Sequence, residues 1–201
     1  MTIWRGQHPL ILASQSRARI MLLQNAGLTF ETVPADIDER AIQDGSGLAG
    51  SGEIAALLAR EKALWVSSGK RGHVIGADQT LALGSELFTK PSNRVEAAAQ
   101  LHALAGRTHE LHSALAVVRD GAVVFETTSV ARMSMRPLSK DNIQSYLDES
   151  GDTVTTSVGA YQLEGLGAHL FERIEGDHFT ILGLPLLPLL AYLRSQSLLA
   201  I

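Results

Sequence analysis

The segment from Leu10 to Arg19 is the sequence feature that most constrains the fold. An apolar run from Leu10 to Ala13 is followed by Ser14 and Ser16, and a helical pattern of apolar residues begins after them. This order predicts a buried strand that leads through a short turn into a helix. Hydroxyls, free backbone N–H groups and Arg19 would then meet at a helix N-terminus, which attracts anions and phosphates above all. An ordinary capped turn is the alternative, because serine is a preferred N-cap residue.

Alternating strand and helix patterns along the rest of the chain predict an α/β fold. Helical patterns separate most of the predicted strands, which lie at about residues 10–13, 29–34, 74–77, 108–118, 122–135 and 169–174. Asp120-Gly121 joins the two long strands and is a strong hairpin signal. Together these patterns indicate a mixed central sheet with flanking helices. We expect a polar, glycine-rich loop over residues 35–52 and a last helix that starts at Pro188.

Composition excludes several classes of function. The chain has 201 residues, a net charge of −4 and no cysteine, so disulfides, thiolate nucleophiles and zinc–sulfur sites are excluded. The N-terminal eight residues contain no apolar signal core. The longest apolar run, from Ile181 to Leu193, is too short to span a bilayer and contains two prolines. We therefore expect a soluble, cytoplasmic protein that binds neither a polynucleotide nor a membrane.

Two common motifs lack the context that they need. Residues 45–50 match the bare glycine pattern of a dinucleotide site but do not follow a buried strand, so we interpret them as a flexible loop that could serve as a lid. His109 and His112 lie three residues apart in a predicted strand, where they face opposite sides and cannot easily share a metal. We expect all seven histidines to be at the surface or half-buried.

Acidic residues follow two of the predicted strands. The segment from Asp36 to Glu39 contains three carboxylates in four residues, which suits Mg²⁺, although a solvated loop is the alternative. Asp78 ends the apolar run from Val74 to Ala77. Burial of a charge is costly without a partner, so the position of Asp78 favours a functional role over a structural one.

Two lysines complete a set of residues suited to phosphate chemistry. Lys62 lies in a predicted helix over residues 53–66, and Lys90 follows a short hairpin. A lone lysine is usually only a solvated charge. A functional role for these two lysines is favoured only because the sequence also contains the hydroxyls, arginine and carboxylates described above. Such a set fits the attack of water on a phosphoanhydride, with a metal neutralising charge.

The ordered blocks of residues resemble the Maf family of nucleoside triphosphate pyrophosphatases. The matching blocks cover nearly the whole chain and include Ser14, Ser16 and Arg19, then Glu61-Lys62, Gly76-Ala77-Asp78, Lys90-Pro91, Gly106 to His109, Gly159 to Gly167, and Gly183-Leu184-Pro185. The resemblance implies a single domain over residues 1–201 with two lobes around a deep cleft. It also implies hydrolysis of a nucleoside triphosphate to the monophosphate and diphosphate, dependence on Mg²⁺ or Mn²⁺, and a homodimer. A nucleotide-binding regulator of cell division with little catalysis is the alternative.

The resemblance also implies roles for individual residues. Asp78 matches the general base, and the sequence leaves open whether it accepts a proton or binds the metal. Glu39 matches a position at the metal and the phosphates. The positions that match those holding the triphosphate are Ser14, Arg19, Lys62 and Lys90.

Departures from the family pattern bear on the substrate. Ala18 stands where an arginine is usual, with Arg17 one place early, and Ser157 stands where many relatives have lysine. Gln79 and Glu164 resemble the branch that acts on 7-methyl-GTP and disfavour dTTP or UTP. A carboxylate at Glu164 suits a cationic methylated base, and Gln79 could contact a base edge. The sequence leaves the nucleotide open.

Overall fold

The computed structural model describes residues 3–201. Its strands are β1 Leu10–Ala13, β2 Phe30–Thr32, β3 His73–Leu83, β4 Glu86–Phe88, β5 Thr108–Arg119, β6 Ala122–Met135 and β7 Phe171–Glu175. Its α-helices are α1 Arg17–Asn25, α2 Glu39–Ser46, α3 Ser51–Ser67, α4 Arg94–Leu104, α5 Lys140–Ser150, α6 His178–Ile181 and α7 Leu186–Ser195. No helix in this described part of the chain is long and apolar enough to cross a membrane.

The strands form a mixed sheet. They are hydrogen-bonded in the order β2-β1-β3-β5-β6-β7, and β4 pairs with β3. β1 is parallel to both β2 and β3, whereas the β3–β4 and β6–β7 pairs are antiparallel. The prediction of an α/β fold with a mixed central sheet and flanking helices is confirmed.

The chain divides into two compact units. The first contains the described residues up to Gln79, together with His112–Ser129 and His178–Ile201. The second contains Thr80–Leu111 and Val130–Asp177. The single domain over residues 1–201 stays a prediction.

In the first unit, α3 packs unusually close to β3. A Cβ atom placed on Gly76 would lie 2.0 Å from the carbonyl oxygen of Ala59 and 2.9 Å from the Cβ of Ala63. Only glycine fits at this contact, since real Cβ atoms do not approach other heavy atoms so closely. The contact brings the residues that follow Gly76 in β3 close to the side chains of α3.

Three local expectations were wrong. Part of the predicted loop over residues 35–52, including Gly45, is the helix α2, which is capped by Asp38 through a 3.0 Å hydrogen bond from the Ala41 N–H. Asp78 does not end its strand, because β3 continues to Leu83. Pro188 is the third residue of α7 rather than the first; a proline is tolerated there because first-turn N–H groups have no intrahelical acceptor.

The second unit contains a buried histidine, contrary to expectation. His109 is fully buried, and its Nε2 lies 2.7 Å from the hydroxyl oxygen of Tyr161. The rings of His109, Tyr161 and Phe171 contact one another, with centroids 4.8–5.9 Å apart. His73, in the first unit, is also buried. The sequence pattern indicated that successive side chains of β5 face opposite sides of the sheet. It could not reveal that aromatic side chains cover His109.

The burial of His109 predicts a loss of stability in acid. Desolvation lowers its pKa from 6.5 to about 4, so between these values the unfolded chain binds a proton that the folded chain does not. The free energy of unfolding should therefore fall as the pH drops from 6.5 to 4, by up to about 3 kcal/mol from this residue. Urea unfolding at pH 7 and pH 4.5 measures the effect.

The matched variants are His109→Gln, which removes the titrating ring, and His102→Gln, which removes an exposed one in α4. His109→Gln should flatten the pH dependence, and His102→Gln should keep it. An unchanged pH dependence in His109→Gln would contradict the assignment.

Candidate active site

The turn between β1 and α1 has the predicted strand–turn–helix form. Ser16 is the N-cap of α1, and its hydroxyl accepts a hydrogen bond of 3.4 Å from the Arg19 N–H. The hydroxyl of Ser14 accepts one of 3.2 Å from the Ser16 N–H. The two hydroxyls therefore shape the start of the helix, and the first-turn N–H groups concentrate positive potential there.

Arg19 holds three separate backbone segments together. Its Nε donates to the Gly183 carbonyl and its Nη1 to the Ala77 carbonyl, both at 2.8 Å. Nη1 also donates to Ser14 Oγ at 3.4 Å. A guanidinium has five N–H donors, so these bonds leave the Nη2 edge, which has no hydrogen-bond partner within residues 3–201.

Lys62 connects two carboxylates. Its Nζ lies 2.5 Å from Asp78 Oδ1 and 2.8 Å from Glu39 Oε1. The side chains of Lys62 and Asp78 are 11% and 10% exposed, whereas Glu39 is 52% exposed. Asp78 lies two residues after Gly76 on the same face of β3, so the close packing of α3 on β3 brings Lys62 to it. Glu39 reaches the same ammonium from the first turn of α2.

The environment of Asp78 favours its protonated form more than water does. Burial raises the pKa of this carboxyl, and the charge of Glu39 adds to the effect, while Lys62 and Arg19 act against it. The same burial lowers the pKa of Arg19, which the charges of Asp78 and Glu39 partly offset. A carboxylate with a raised pKa is a stronger base than one in water, so the position is chemically suited to proton transfer.

Gln79 points to the opposite face of β3 from Asp78 and is bound inside the first unit. Its Nε2 donates to Ser113 Oγ at 2.8 Å and to the carbonyls of Thr180 and Ile181 at 3.0 Å each. Ser113 is fully buried and itself donates to the Thr180 carbonyl at 2.6 Å. Ser113 was not predicted from the sequence, although a lone serine in the apolar part of β5 was an available signal.

The remaining predicted residues belong to the second unit. Lys90 is exposed and follows β4. Glu164 is exposed in a turn closed by a 3.2 Å hydrogen bond from the Gly165 N–H to the Gln162 carbonyl. Within the first unit the structure collects the other predicted residues, which are Ser14, Arg19, Glu39, Lys62, Asp78 and Gln79.

Glu39 and Asp78 form a donor set that fits a hard cation. Mg²⁺ usually takes one or two protein carboxylates and completes its shell with water and substrate phosphates. Two carboxylates that approach the same ammonium satisfy this requirement. In residues 3–201 there is no cluster of three or more acidic, histidine or cysteine ligands that would form an all-protein metal cage. The residues thus fit a metal shared with phosphate.

The Lys62–Asp78 contact predicts strong coupling between two substitutions. Lys62→Met should destabilise the fold because it leaves the buried carboxyl of Asp78 without its ion-pair partner. Asp78→Asn should relieve much of that loss, giving a coupling free energy of about 1–3 kcal/mol. Urea unfolding of the wild-type protein, both single variants and the double variant, with a metal chelator present, measures this coupling free energy.

The exposed pair of Arg60 and Glu126 provides the matched control. Its two hydrogen bonds are 2.6 and 3.0 Å long, and its side chains are 42% and 33% exposed. Arg60→Met with Glu126→Gln should give a coupling below about 1 kcal/mol. Equal coupling in the two cycles would contradict a special role of burial at Lys62.

Comparisons with known proteins identify the family of this chain. The family model described as Maf-like protein matches residues 9–196. Proteins named nucleoside triphosphate pyrophosphatase from Nitrobacter winogradskyi and Bradyrhizobium diazoefficiens are 67% and 66% identical, each over 100% of both chains. A 7-methyl-GTP pyrophosphatase from Rhizobium etli is 53% identical over 92% of this chain and 94% of its own. The chain belongs to the Maf family.

Proposed function

We propose that this protein hydrolyses a nucleoside triphosphate to the monophosphate and diphosphate. The observation that carries the proposal is the buried carboxyl of Asp78, held by Lys62 beside Glu39 and Arg19. Carboxylates, cations and a helix N-terminus are together the groups that phosphoanhydride hydrolysis needs. The names of the relatives from Nitrobacter and Bradyrhizobium support the same reaction.

Asp78 would accept the proton that the attacking water must lose. Water adds across the bond between the α- and β-phosphates; a new P–O bond forms, the anhydride bond breaks, and diphosphate leaves. The raised pKa of Asp78 supports its action as the base, and its proximity to Glu39 supports its action as a metal ligand instead. Lys62 holds both carboxylates in place in either case.

The start of α1 and the Nη2 edge of Arg19 would bind phosphate oxygens. Both lie in the first unit, with Ser14 between them in the turn. Their positive potential would stabilise charge that develops on the phosphates. Lys90 is proposed for the same purpose on the family resemblance alone.

Mg²⁺ or Mn²⁺ would be held by Glu39 and Asp78. When bound, the metal neutralises phosphate charge and so lowers the barrier to attack by an anionic or polarised nucleophile. The protein contributes the two carboxylates and keeps their separation fixed through Lys62.

For the base, we propose a modified purine such as 7-methylguanine. The relative from Rhizobium etli carries the name 7-methyl-GTP pyrophosphatase. Glu164 is an exposed carboxylate that could attract a cationic base. The turn that contains it begins next to Tyr161, whose hydroxyl is hydrogen-bonded to His109. The family resemblance further supports a homodimer.

The activity is tested with purified full-length protein, Mg²⁺ and a panel of GTP, 7-methyl-GTP, dTTP and UTP. Release of monophosphate and diphosphate, identified by ion-exchange chromatography, is expected. Asp78→Asn should lower kcat by about 10²–10⁴, whereas Asp141→Asn, an exposed control in α5, should retain it. Release of inorganic phosphate would refute the proposed reaction, and saturable binding without turnover would indicate a regulator.

Base specificity is tested separately with Glu164→Gln. Loss of the carboxylate charge should lower kcat/KM for 7-methyl-GTP relative to GTP by about fivefold to tenfold. Glu172→Gln, an exposed control in β7, should leave the ratio unchanged. An unaltered ratio in Glu164→Gln would remove this residue from base recognition without affecting the proposed reaction.

A further inference from the structure

We infer that His109 is a positioning residue for base recognition: it fixes both ends of the loop over residues 161–171, which carries Glu164. The inference deepens the proposed function and rests on it, because it takes Glu164 to contact the base. Every contact that carries the inference lies within the second unit.

The two ends of this loop meet at His109. Tyr161 begins the loop, and its hydroxyl oxygen lies 2.7 Å from His109 Nε2. Phe171 ends the loop as the first residue of β7, and its ring centroid lies 5.9 Å from that of His109 and 4.8 Å from that of Tyr161. Compact surface loops of about 6–16 residues, whose ends lie close together, are frequently functional. The chain therefore leaves one buried side chain and returns to it.

The loop is also closed within itself around Glu164. The Gly165 N–H donates to the Gln162 carbonyl at 3.2 Å. A Cβ atom placed on Gly167 would lie 2.3 Å from the same carbonyl oxygen and 3.0 Å from the Gln162 nitrogen, so only glycine fits there. The exposed Glu164 lies between these two contacts with Gln162. Its position therefore depends on how Tyr161, the residue before Gln162, is held.

A single hydrogen bond joins the imidazole of His109 to the loop. His109 is fully buried, and Tyr161 is only 5% exposed. His109 Nδ1 has no hydrogen-bond partner within residues 3–201, so the contact through Nε2 is the one that the imidazole makes there. A buried polar group that loses its partner is costly, so each of the two side chains holds the other in place. Removal of the Tyr161 hydroxyl should release the start of the loop.

The backbone that enters the loop is strained. Ala160 is fully buried and has a φ of +60°, a left-handed conformation that alanine rarely adopts. Its carbonyl accepts a hydrogen bond of 3.2 Å from the Tyr146 hydroxyl. Strained residues persist only where the surrounding structure fixes them. The contacts of Tyr146 and His109 on either side of this residue therefore hold the loop in a conformation that the free chain would leave.

Tyr161→Phe tests the inference because it removes the hydroxyl and keeps the ring. The kcat/KM for 7-methyl-GTP relative to GTP should fall by about threefold to fivefold, since a displaced Glu164 attracts the cationic base less well. Tyr192→Phe removes a hydroxyl from α7 in the first unit and should leave the ratio unchanged. A purely structural hydrogen bond would lower the stability of Tyr161→Phe without altering the ratio.

A double variant shows whether the effect passes through Glu164. In a Glu164→Gln background, Tyr161→Phe should change the ratio little further, because both substitutions act on one contact with the base. Hydrogen exchange of the Gly165 amide, followed by NMR, reports on the loop without any substrate. Tyr161→Phe should speed this exchange by about fivefold or more, and Tyr192→Phe should not.

Two variants at neighbouring positions extend the test. His109→Gln retains a side-chain donor and should preserve more of the base ratio than His109→Leu does. Tyr146→Phe removes the hydrogen bond to the Ala160 carbonyl and should lower the ratio in the same direction. Tyr146→Phe carries the test if urea unfolding shows that Tyr161→Phe is not folded.

The failure of this inference can be distinguished from that of the proposed function. An unchanged ratio or unchanged Gly165 exchange in Tyr161→Phe, while Glu164→Gln lowers the ratio, would overturn the inference alone. Losses that simply multiply in the double variant would do the same. If Glu164→Gln leaves the ratio unaltered, the assignment of Glu164 to the base fails and the inference fails with it, although release of diphosphate would still support the proposed reaction.

Discussion

The buried ion pair of Lys62 and Asp78 determines how the polar residues of the first unit are arranged. It exists because β3 and α3 approach so closely at Gly76 that no side chain fits between them. Replacement of a buried ion pair by a hydrophobic pair of similar size is often neutral or stabilising, since desolvation offsets much of the attraction between the charges. A gain in stability is therefore a weak explanation for the pair. Its presence makes chemical sense if Asp78 and Glu39 must be held ready for a proton or a metal.

Much of this arrangement could be predicted from local sequence patterns. The turn at Ser14 and Ser16 followed from an apolar run that stops at polar residues, and the burial of Asp78 with a charged partner followed from a charge in an otherwise apolar strand. Both signals are local, since they depend on neighbours in the chain. The α/β class followed in the same way from periodicity.

The contacts that link distant segments could not be predicted in this way. Gln79 binds carbonyls about a hundred residues later, and Arg19 binds that of Gly183, 164 residues away. A backbone carbonyl is present at every residue, so no residue type marks it as an acceptor. The helix α2 was not predicted for another reason, because its glycine and polar residues resemble a loop. Asp38, expected to be either a cation ligand or part of a solvated loop, forms the cap of this helix.

The three hydrogen bonds of Arg19 have a thermodynamic consequence for any anion that reaches it. A free arginine loses much side-chain conformational entropy when it grips a ligand. Here that loss occurs when the chain folds, because the guanidinium is already fixed by Ala77, Gly183 and Ser14. An incoming phosphate would meet a rigid donor that presents only its Nη2 edge. Arg19 would therefore make binding directional with little additional loss of side-chain entropy. Because Nε and Nη1 already bind the protein, Arg19 could not use them for a bidentate contact with the phosphate as a mobile arginine could.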